Sequence, residues 1–454
     1  MNGYGHYILT PVPWIEKMPL HWKLERGKNL YQKMQRPTND MDGVVTCFRD
    51  GTVTLRKNRR TTGFTESLKE IGYQGIRKGD LVIHVMDAFA GSIGVSDSDG
   101  KGTPVYSVCQ ARGDSNNQYY ALLLREMART GFIQSLYKGI RERSSDFRFE
   151  IFSAQFYPVP PRPEQDQIVR FLDWKVSSIN RLISIKRKQI ASLHERQRVY
   201  ISHIVTHGLH NNVSTKNSGV EWIEDIPEHW QTMRCKYLFS ERDERSQEGQ
   251  EQHLSMSQKY GLVPDGQLDE RRMLSESYAG GKLCYKDDLV LNRLKAHLGV
   301  FALSPQSGVI SPDYTVLIPN TERVLPTFAE TILKSDRFRG ELRIRVRGII
   351  EGFWRLYTDD FNTIVLPVPP IEEQAEIMEY IIEFRDKTKK YEDSLAQEIS
   401  TLQEFKTRLI SDVVTGKIDV RDIKVPAFEY VEETADSFDE DDRDMGDASE
   451  DEEK

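Results

Sequence analysis

Cysteine is scarce in this 454-residue chain: Cys47, Cys109, Cys235 and Cys284 stand alone, with no Cys-x-x-Cys spacing among them. That argues against both a disulfide framework and a structural zinc site, and it fits a reducing, cytoplasmic setting. Long apolar runs are missing too. No stretch approaches the roughly 18 residues that a membrane span needs, and His84 and Asp87 interrupt the most apolar strand region. Met1 to Thr10 lacks a basic region followed by an apolar one, so no secretory signal is expected there. The familiar catalytic patterns are absent as well: no Gly-x-Gly-x-x-Gly after a strand, no Gly-x-x-x-x-Gly-Lys-Ser/Thr and no His-Glu-x-x-His. Ser311-Pro312-Asp313-Tyr314 is the nearest approach to an Asn/Asp-Pro-Pro-aromatic tetrapeptide and fails at two positions. Nothing singles out nuclease carboxylates among 70 acidic residues. Catalysis has no support in the sequence, and the chain is read as non-enzymatic and without a metal site or a cofactor of its own.

Charge is abundant and uneven. The formal net charge is −8, but Glu429 to Lys454 hold fourteen Asp/Glu against Arg443 and Lys454, a net of −12, which leaves +4 for residues 1–428. With a mean hydropathy of −0.56, the body is polar and mildly basic. The acidic tail, 426–454, has too few apolar residues to offset its ordering entropy and is expected to be disordered. Solubility, contact with a basic partner and mimicry of nucleic acid are all open roles for it.

The chain is organised around two long helices. From Pro158-Val159-Pro160-Pro161-Arg162-Pro163 it passes through Glu164 and Gln165 into a stripe at Ile168, Leu172, Val176, Ile179, Ile183, Lys186, Ile190, Leu193, Gln197, Tyr200 and Ile204. Spacings of mostly four and three define one helical face, and the prolines fix the entry, because a missing N–H costs nothing at a helix start. Glu164 to His207 is 44 residues, roughly 66 Å at 1.5 Å per residue. Pro367-Val368-Pro369-Pro370-Ile371-Glu372-Glu373-Gln374 repeats the entry at an offset of 209, and its stripe runs from Ile377 to Val413. Residues 164–207 carry eight Lys/Arg and four Asp/Glu, a net of +4; residues 373–415 carry six and ten, a net of −4. The narrow stripes and opposite charges predict an antiparallel coiled coil.

The globular segments repeat likewise. Trp14-Ile15-Glu16-Lys17-Met18-Pro19-Leu20-His21-Trp22 recurs as Trp222-Ile223-Glu224-Asp225-Ile226-Pro227-Glu228-His229-Trp230 at an offset of 208, and its indoles are read as anchors of a domain start, its histidines as hydrogen-bonded turn residues. Asp80 to Val85 and Asp288 to Arg293 read as equivalent strands, and helices are expected near 119–137 and 327–339. The fold class is therefore mixed α/β, a tandem duplication with a pseudo-twofold internal repeat. Its expected parts are 1–157, a first recognition domain; 158–210, a proline run and long helix; 211–366, a second recognition domain; 367–425, a second proline run and helix; and 426–454, the tail.

Basic clusters point to double-stranded DNA. The candidates are Arg56, Lys57, Arg59, Arg60, Lys138, Arg141 and Arg143 in the first half and Arg293, Lys295, His297, Arg343, Arg345 and Arg347 in the second. As a strand, Arg343 to Arg347 would put three guanidinium groups on one face, suited to a row of phosphates. Arginine also reads guanine bidentately, whereas lysine mostly positions the backbone. A coiled-coil scaffold that binds nucleic acid without sequence preference is the competing reading; two differing domains on one symmetric frame disfavour it.

Together the paired Trp-Ile-x-x-x-Pro-x-His-Trp starts, the paired Pro-x-Pro-Pro-x-x-Glu-Gln runs, the two long helices and Val414-Thr415-Gly416-Lys417 resemble the DNA-specificity (S) subunit of type I restriction-modification systems, over nearly all of residues 11–425. Arg162-Pro163 against Ile371-Glu372, and the acidic tail, depart from the pattern. The resemblance implies two target-recognition domains on an antiparallel helical ruler, each reading one half of a split, asymmetric site. It implies docking of two modification (methyltransferase) subunits, and of restriction (translocase/nuclease) subunits where these are present; Glu164, Gln165, Glu373 and Gln374 are the candidate docking residues. S-adenosylmethionine, ATP and Mg²⁺ are then expected on the partners, with none in this chain.

Overall fold

The computed structural model describes residues 2–39, 41–59, 71–136, 146–210, 212–257, 260–265, 278–348 and 354–432. Arg60, Lys138, Arg141, Arg143 and the tail from residue 433 onward lie outside them. The chain forms two compact units, one of residues 1–186 with 397–454, the other of residues 187–396. The division falls inside both long helices, which run over Arg162–His207 and Ile371–Val414. Each unit thus holds the start of one long helix and the end of the other.

In the first unit a four-stranded antiparallel sheet has the spatial order Tyr31–Lys33, Tyr106–Ala111, Leu81–His84, Ile93–Val95. Side chains of a strand alternate between faces, and here the alternation divides the core. Leu81 and Ile83 join the main cluster with Tyr119, Leu123, Ile168, Phe171, Leu172, Leu409 and Val413. Val82 and Val108 point the other way, into a small cluster with Val45, Cys47 and Val53 of the Val45–Cys47/Val53–Leu55 hairpin. The helix Asn117–Arg129 covers the main face; the Asn116 side chain caps it by accepting from the N–H groups of Gln118 and Tyr119. Within this unit the two long helices pair antiparallel: Lys186 meets Glu398, and Asn180 accepts from Lys406 Nζ at 3.2 Å.

The second unit repeats the plan. Its sheet order is Phe239–Arg242, Tyr314–Pro319, Leu289–Asn292, Phe301–Leu303, again antiparallel throughout. Leu289 and Leu291 face the main cluster with Ile204, Phe328, Ile377 and Ile381, whereas Val290 and Val316 face the hairpin Leu254–Ser257/Gly261–Pro264. The helices again pair antiparallel, with His194 3.3 Å from Glu392 and the Tyr200 ring 5.1 Å from that of Phe384. Ile168, Leu172, Ile179, Ile183, Ile204, Ile377, Ile381, Leu395, Leu409 and Val413 of the predicted stripes are buried, while Tyr391 and Phe405 remain half exposed. All four cysteines are free and buried, and no helix among the described residues is long and apolar enough to cross a membrane.

One buried acid on the first long helix gives a pH signature. Burial pushes the Asp173 carboxyl up to about 6, above the roughly 3.9 of an unfolded aspartate. The folded state then binds the proton more tightly, so this residue's contribution to stability falls as pH rises from about 4 through 6. Because the group is only partly buried, Asp173→Asn is expected to raise the unfolding free energy by about 1–2 kcal/mol at pH 7 and to leave it almost unchanged at pH 4. Urea unfolding at the two pH values measures the difference; a gain of the same size at both would rule out titration as its cause.

Candidate nucleic-acid interface

The entry of each long helix is a clamp. Glu164 is buried and accepts three hydrogen bonds, from Tyr4 Oη at 2.5 Å, the His21 imidazole at 2.8 Å and Trp22 Nε1 at 3.0 Å. Glu373 is held the same way by His229 at 2.7 Å and Trp230 Nε1 at 3.0 Å, with no tyrosine counterpart to Tyr4 among the described residues. Gln165 accepts from Asn116 N and donates to Pro160 O; Gln374 accepts from Leu325 N and donates to Pro369 O and Arg323 O. A fixed amide that accepts from a helix-start N–H and donates to the proline run sets where the recognition domain meets its helix. Glycines at the helix ends complete the clamps: Gly416 (φ +77°) lies against Pro19 and Trp22, and Gly208 (φ +81°) against Trp230 and Glu373. A Cβ at Gly416 would come within 2.8 Å of the Trp22 ring, and only glycine takes such a φ freely.

The four candidate docking residues all have partners within the chain: Glu164, Gln165 and Gln374 are buried, Glu373 is partly exposed, and each spends polar atoms on internal hydrogen bonds. Trp22, Trp230 and the two histidines of the repeated signature are the other half of the same device, whereas Trp14 and Trp222 pack against Phe132 and Phe338.

In the first unit the basic cluster sits on the Val45–Cys47/Val53–Leu55 hairpin. Arg56 and Lys57 open a short 3-10 turn directly after its second strand. Arg59 pairs with Asp50 at 2.6 Å and lies over the Phe48 ring at 4.8 Å. Partial burial raises the Asp50 pKa, but hydrogen bonds from Arg59 and Thr52 outweigh it and hold the carboxyl below its usual value. Arg49, 68% exposed, pairs with Asp87 at 3.2 Å, and the Arg125 guanidinium packs against the turn at Gly51. Arg49 and Arg125 extend the cluster that the sequence marks; they are 76 residues apart, and only the fold joins them.

In the second unit Arg293 and Lys295 lie on the 3-10 segment Arg293–Leu298, with Arg293 Nε donating to Asp313 O at 2.7 Å. The His297 ring stands edge-on to Trp354 at 5.1 Å, and its buried Nδ1 has no hydrogen-bond partner among the described residues. Burial and the neighbouring Arg343 charge lower its pKa, so at neutral pH His297 is uncharged and contributes no cation. Arg355, absent from the sequence candidates, approaches Asp313 at 3.9 Å. Trp354-Arg355 is an aromatic-cation dipeptide, a signal that a search restricted to basic runs overlooks.

The row of arginines expected from a strand at 343–347 does not form. Asp336–Arg345 is an α-helix, capped by Ser335 and opened by Asp336, with Phe338 and Leu342 buried one turn apart. Residues two apart on a helix point about 200° from each other, so the guanidinium groups diverge. Arg343 is exposed; Arg345 pairs with Glu341 at 2.6 Å and bonds Thr363, and Arg347 pairs with Asp360. Packing of Phe338 and Leu342 into the core overrides the alternation read from the arginines.

Over 324 residues the chain is 25% identical to the MjaVIII specificity subunit of a type I restriction enzyme from Methanocaldococcus jannaschii, a match that covers 67% of this chain and 70% of that relative. The chain is homologous to type I restriction enzyme specificity subunits. The fold agrees: a solved chain of a type I R-M system, described for complex assembly and conformational transition, superposes with a TM-score of 0.62 at 13% identity, over 88% of this chain and 99% of that one. No family model matches.

Proposed function

We propose that this chain is the non-catalytic specificity subunit of a type I restriction-modification complex, in which each recognition domain reads one half of a bipartite, asymmetric DNA site. The observation that carries this reading is the repetition of one frame with different reading surfaces. The two units share sheet order, clamp and hairpin, yet Arg56 and Lys57 of the first stand where the second has Pro264 and Asp265, at the offset of 208. A purely electrostatic binder has no use for that difference; a reader of two half-sequences does. The long helices set the spacing between the half-sites, and their exposed faces dock the modification and restriction subunits. Those partners carry S-adenosylmethionine, ATP and Mg²⁺ and perform methylation, translocation and cleavage; this chain chooses the site and acts within the cytoplasm.

The deciding experiment is a methylome map. The gene, expressed beside its neighbouring methyltransferase gene in a methylation-free host, is expected to produce modified adenine in a split motif that vanishes when this gene alone is deleted. Persistence of the same motif without this chain would assign sequence reading to the methyltransferase and leave the chain a scaffold.

A further inference from the structure

The two hairpins carry opposite polarity at one matched position. In the first, Val45 pairs with Leu55, and Arg56 N donates to Val44 O at 2.8 Å; in the second, Leu254 pairs with Pro264, and Asp265 N donates to His253 O at 3.1 Å. Val44 and His253 also form matching parallel bridges, to Lys101 and Val309. Register therefore sets Asp265 against Arg56, His253 against Val44 and Ser255 against Thr46, an offset of 209 and one step beyond that of the domain starts. Arg56 Nε donates to Thr46 Oγ1 at 3.4 Å. A guanidinium has only hydrogens to offer.

Asp265 reverses this. Its carboxylate accepts from Ser255 Oγ at 2.8 Å, His253 Nδ1 at 2.7 Å and Tyr278 Oη at 3.1 Å. The His253 ring lies flat on that of Tyr278, with centroids 3.8 Å apart and planes 12° from parallel, so the four side chains form one fixed set. All four are half-buried and keep part of their surface within reach of a ligand. Because an ionised carboxylate only accepts, the hydrogens of the hydroxyl, the imidazole Nδ1 and the phenol are all turned onto Asp265. What these groups hold for a ligand is lone pairs, on Ser255 Oγ, on Tyr278 Oη and, in the neutral ring, on His253 Nε2, which has no hydrogen-bond partner among the described residues.

An acceptor set selects among bases. In the major groove cytosine shows its N4 amino group and adenine its N6 amino group, whereas guanine shows two acceptors and thymine an acceptor and a methyl group. Guanine and thymine would set lone pair against lone pair, which strips water from buried acceptors without replacing its hydrogen bonds. We propose that the Asp265 cluster is a specificity-determining site of the second recognition domain, accepting from the exocyclic amino group of a cytosine or adenine in its half-site, where Arg56 of the first domain donates to guanine. The inference rests on the proposed reading of DNA by these hairpins.

The test begins with the motif that the methylome map delivers and uses the complex of this chain with the neighbouring methyltransferase. Duplexes lose one exocyclic amino group at a time, cytosine becoming 2-pyrimidinone and adenine becoming purine, at every position except the methylated adenine, and binding is followed by anisotropy. The wild-type complex is expected to bind about tenfold or more weakly when the read position is stripped. In Asp265→Asn, whose single carbonyl oxygen frees hydrogens to face the base, that penalty should fall to within about threefold; Tyr278→Phe keeps the stack on His253, loses one acceptor and should lie between. A penalty at 2-pyrimidinone names cytosine, and one at purine names adenine. The Asp265→Asn methylome should be degenerate at that same position and unchanged in the other half-site, while Arg56→Gln should relax a guanine of the other half-site alone. If both Asp265→Asn and Tyr278→Phe keep the full wild-type penalty, or if no stripped amino group costs the wild type more than about twofold, while the motif still depends on this chain, the proposal is overturned and the DNA-reading function stands. A host in which no motif depends on this chain overturns both.

Discussion

Glu164→Ala is expected to lower the unfolding free energy of the first unit by about 3–5 kcal/mol, the largest single-residue effect in the chain. The substitution removes one acceptor and strands two buried donors, Tyr4 Oη and Trp22 Nε1, while the His21 imidazole, which is exposed, turns to solvent. Each buried donor left unpaired costs about 1–3 kcal/mol, and bonds to a charged acceptor stand at the upper end. The hydroxyl of Tyr4 reports on the same contact: burial, together with the hydrogen bond to Glu164, pushes its pKa well above the ordinary tyrosine value. Glu164→Gln keeps one carbonyl oxygen and should fall between wild type and alanine. Glu373→Ala should cost less, about 2–3 kcal/mol, because its carboxylate receives two of these bonds and its side chain is 19% exposed against 4% for Glu164. Denaturant unfolding followed by tryptophan fluorescence gives the order directly. A loss below about 1 kcal/mol at Glu164, or a larger loss at Glu373, would show that the clamp carries little of the stability expected of it.

The second large effect concerns spacing. Under the proposed function, removing four residues from the middle of each long helix shortens each by about 6 Å, close to two base pairs at 3.4 Å each. Half-site centres are expected about one helical turn apart, near 34 Å, which puts both on one face of the duplex. The shortened chain should therefore methylate its original motif at least a hundredfold less than wild type and acquire a motif with the same two half-sequences and a spacer one to two base pairs shorter. Adenine-methylation mapping of both chains in the same host reads this out. A change in either half-sequence, with the spacer kept, would mean that the helices shape base reading rather than distance. The clamps give the reason to expect a clean result: Glu164, Gln165, Glu373 and Gln374 fix each recognition domain at a helix entry, far from a deletion at mid-helix.

Much of this architecture is local in origin and is visible in the chain itself. Proline runs before Glu164 and Glu373, stripes of period near 3.5 and an offset of 208 to 209 specify two long helices and a duplication, since helix entry and helix face depend on neighbours within a turn or two. The strands at Leu81–His84 and Leu289–Asn292 are legible for the same reason. The failure at Arg343 to Arg347 is equally physical: alternating arginines mimic a strand, but a Ser335 cap and the burial of Phe338 and Leu342 select a helix. What the tertiary structure decided is the use of each charged residue. Glu164 meets Tyr4, His21 and Trp22 across more than 140 residues of sequence, and Arg125 reaches the turn at Gly51 only through the packing of its helix. A carboxylate or guanidinium carries the same symbol in the sequence whether it is clamp, ion pair or exposed cation; the side chains that topology places within about 3 Å of it determine which it becomes.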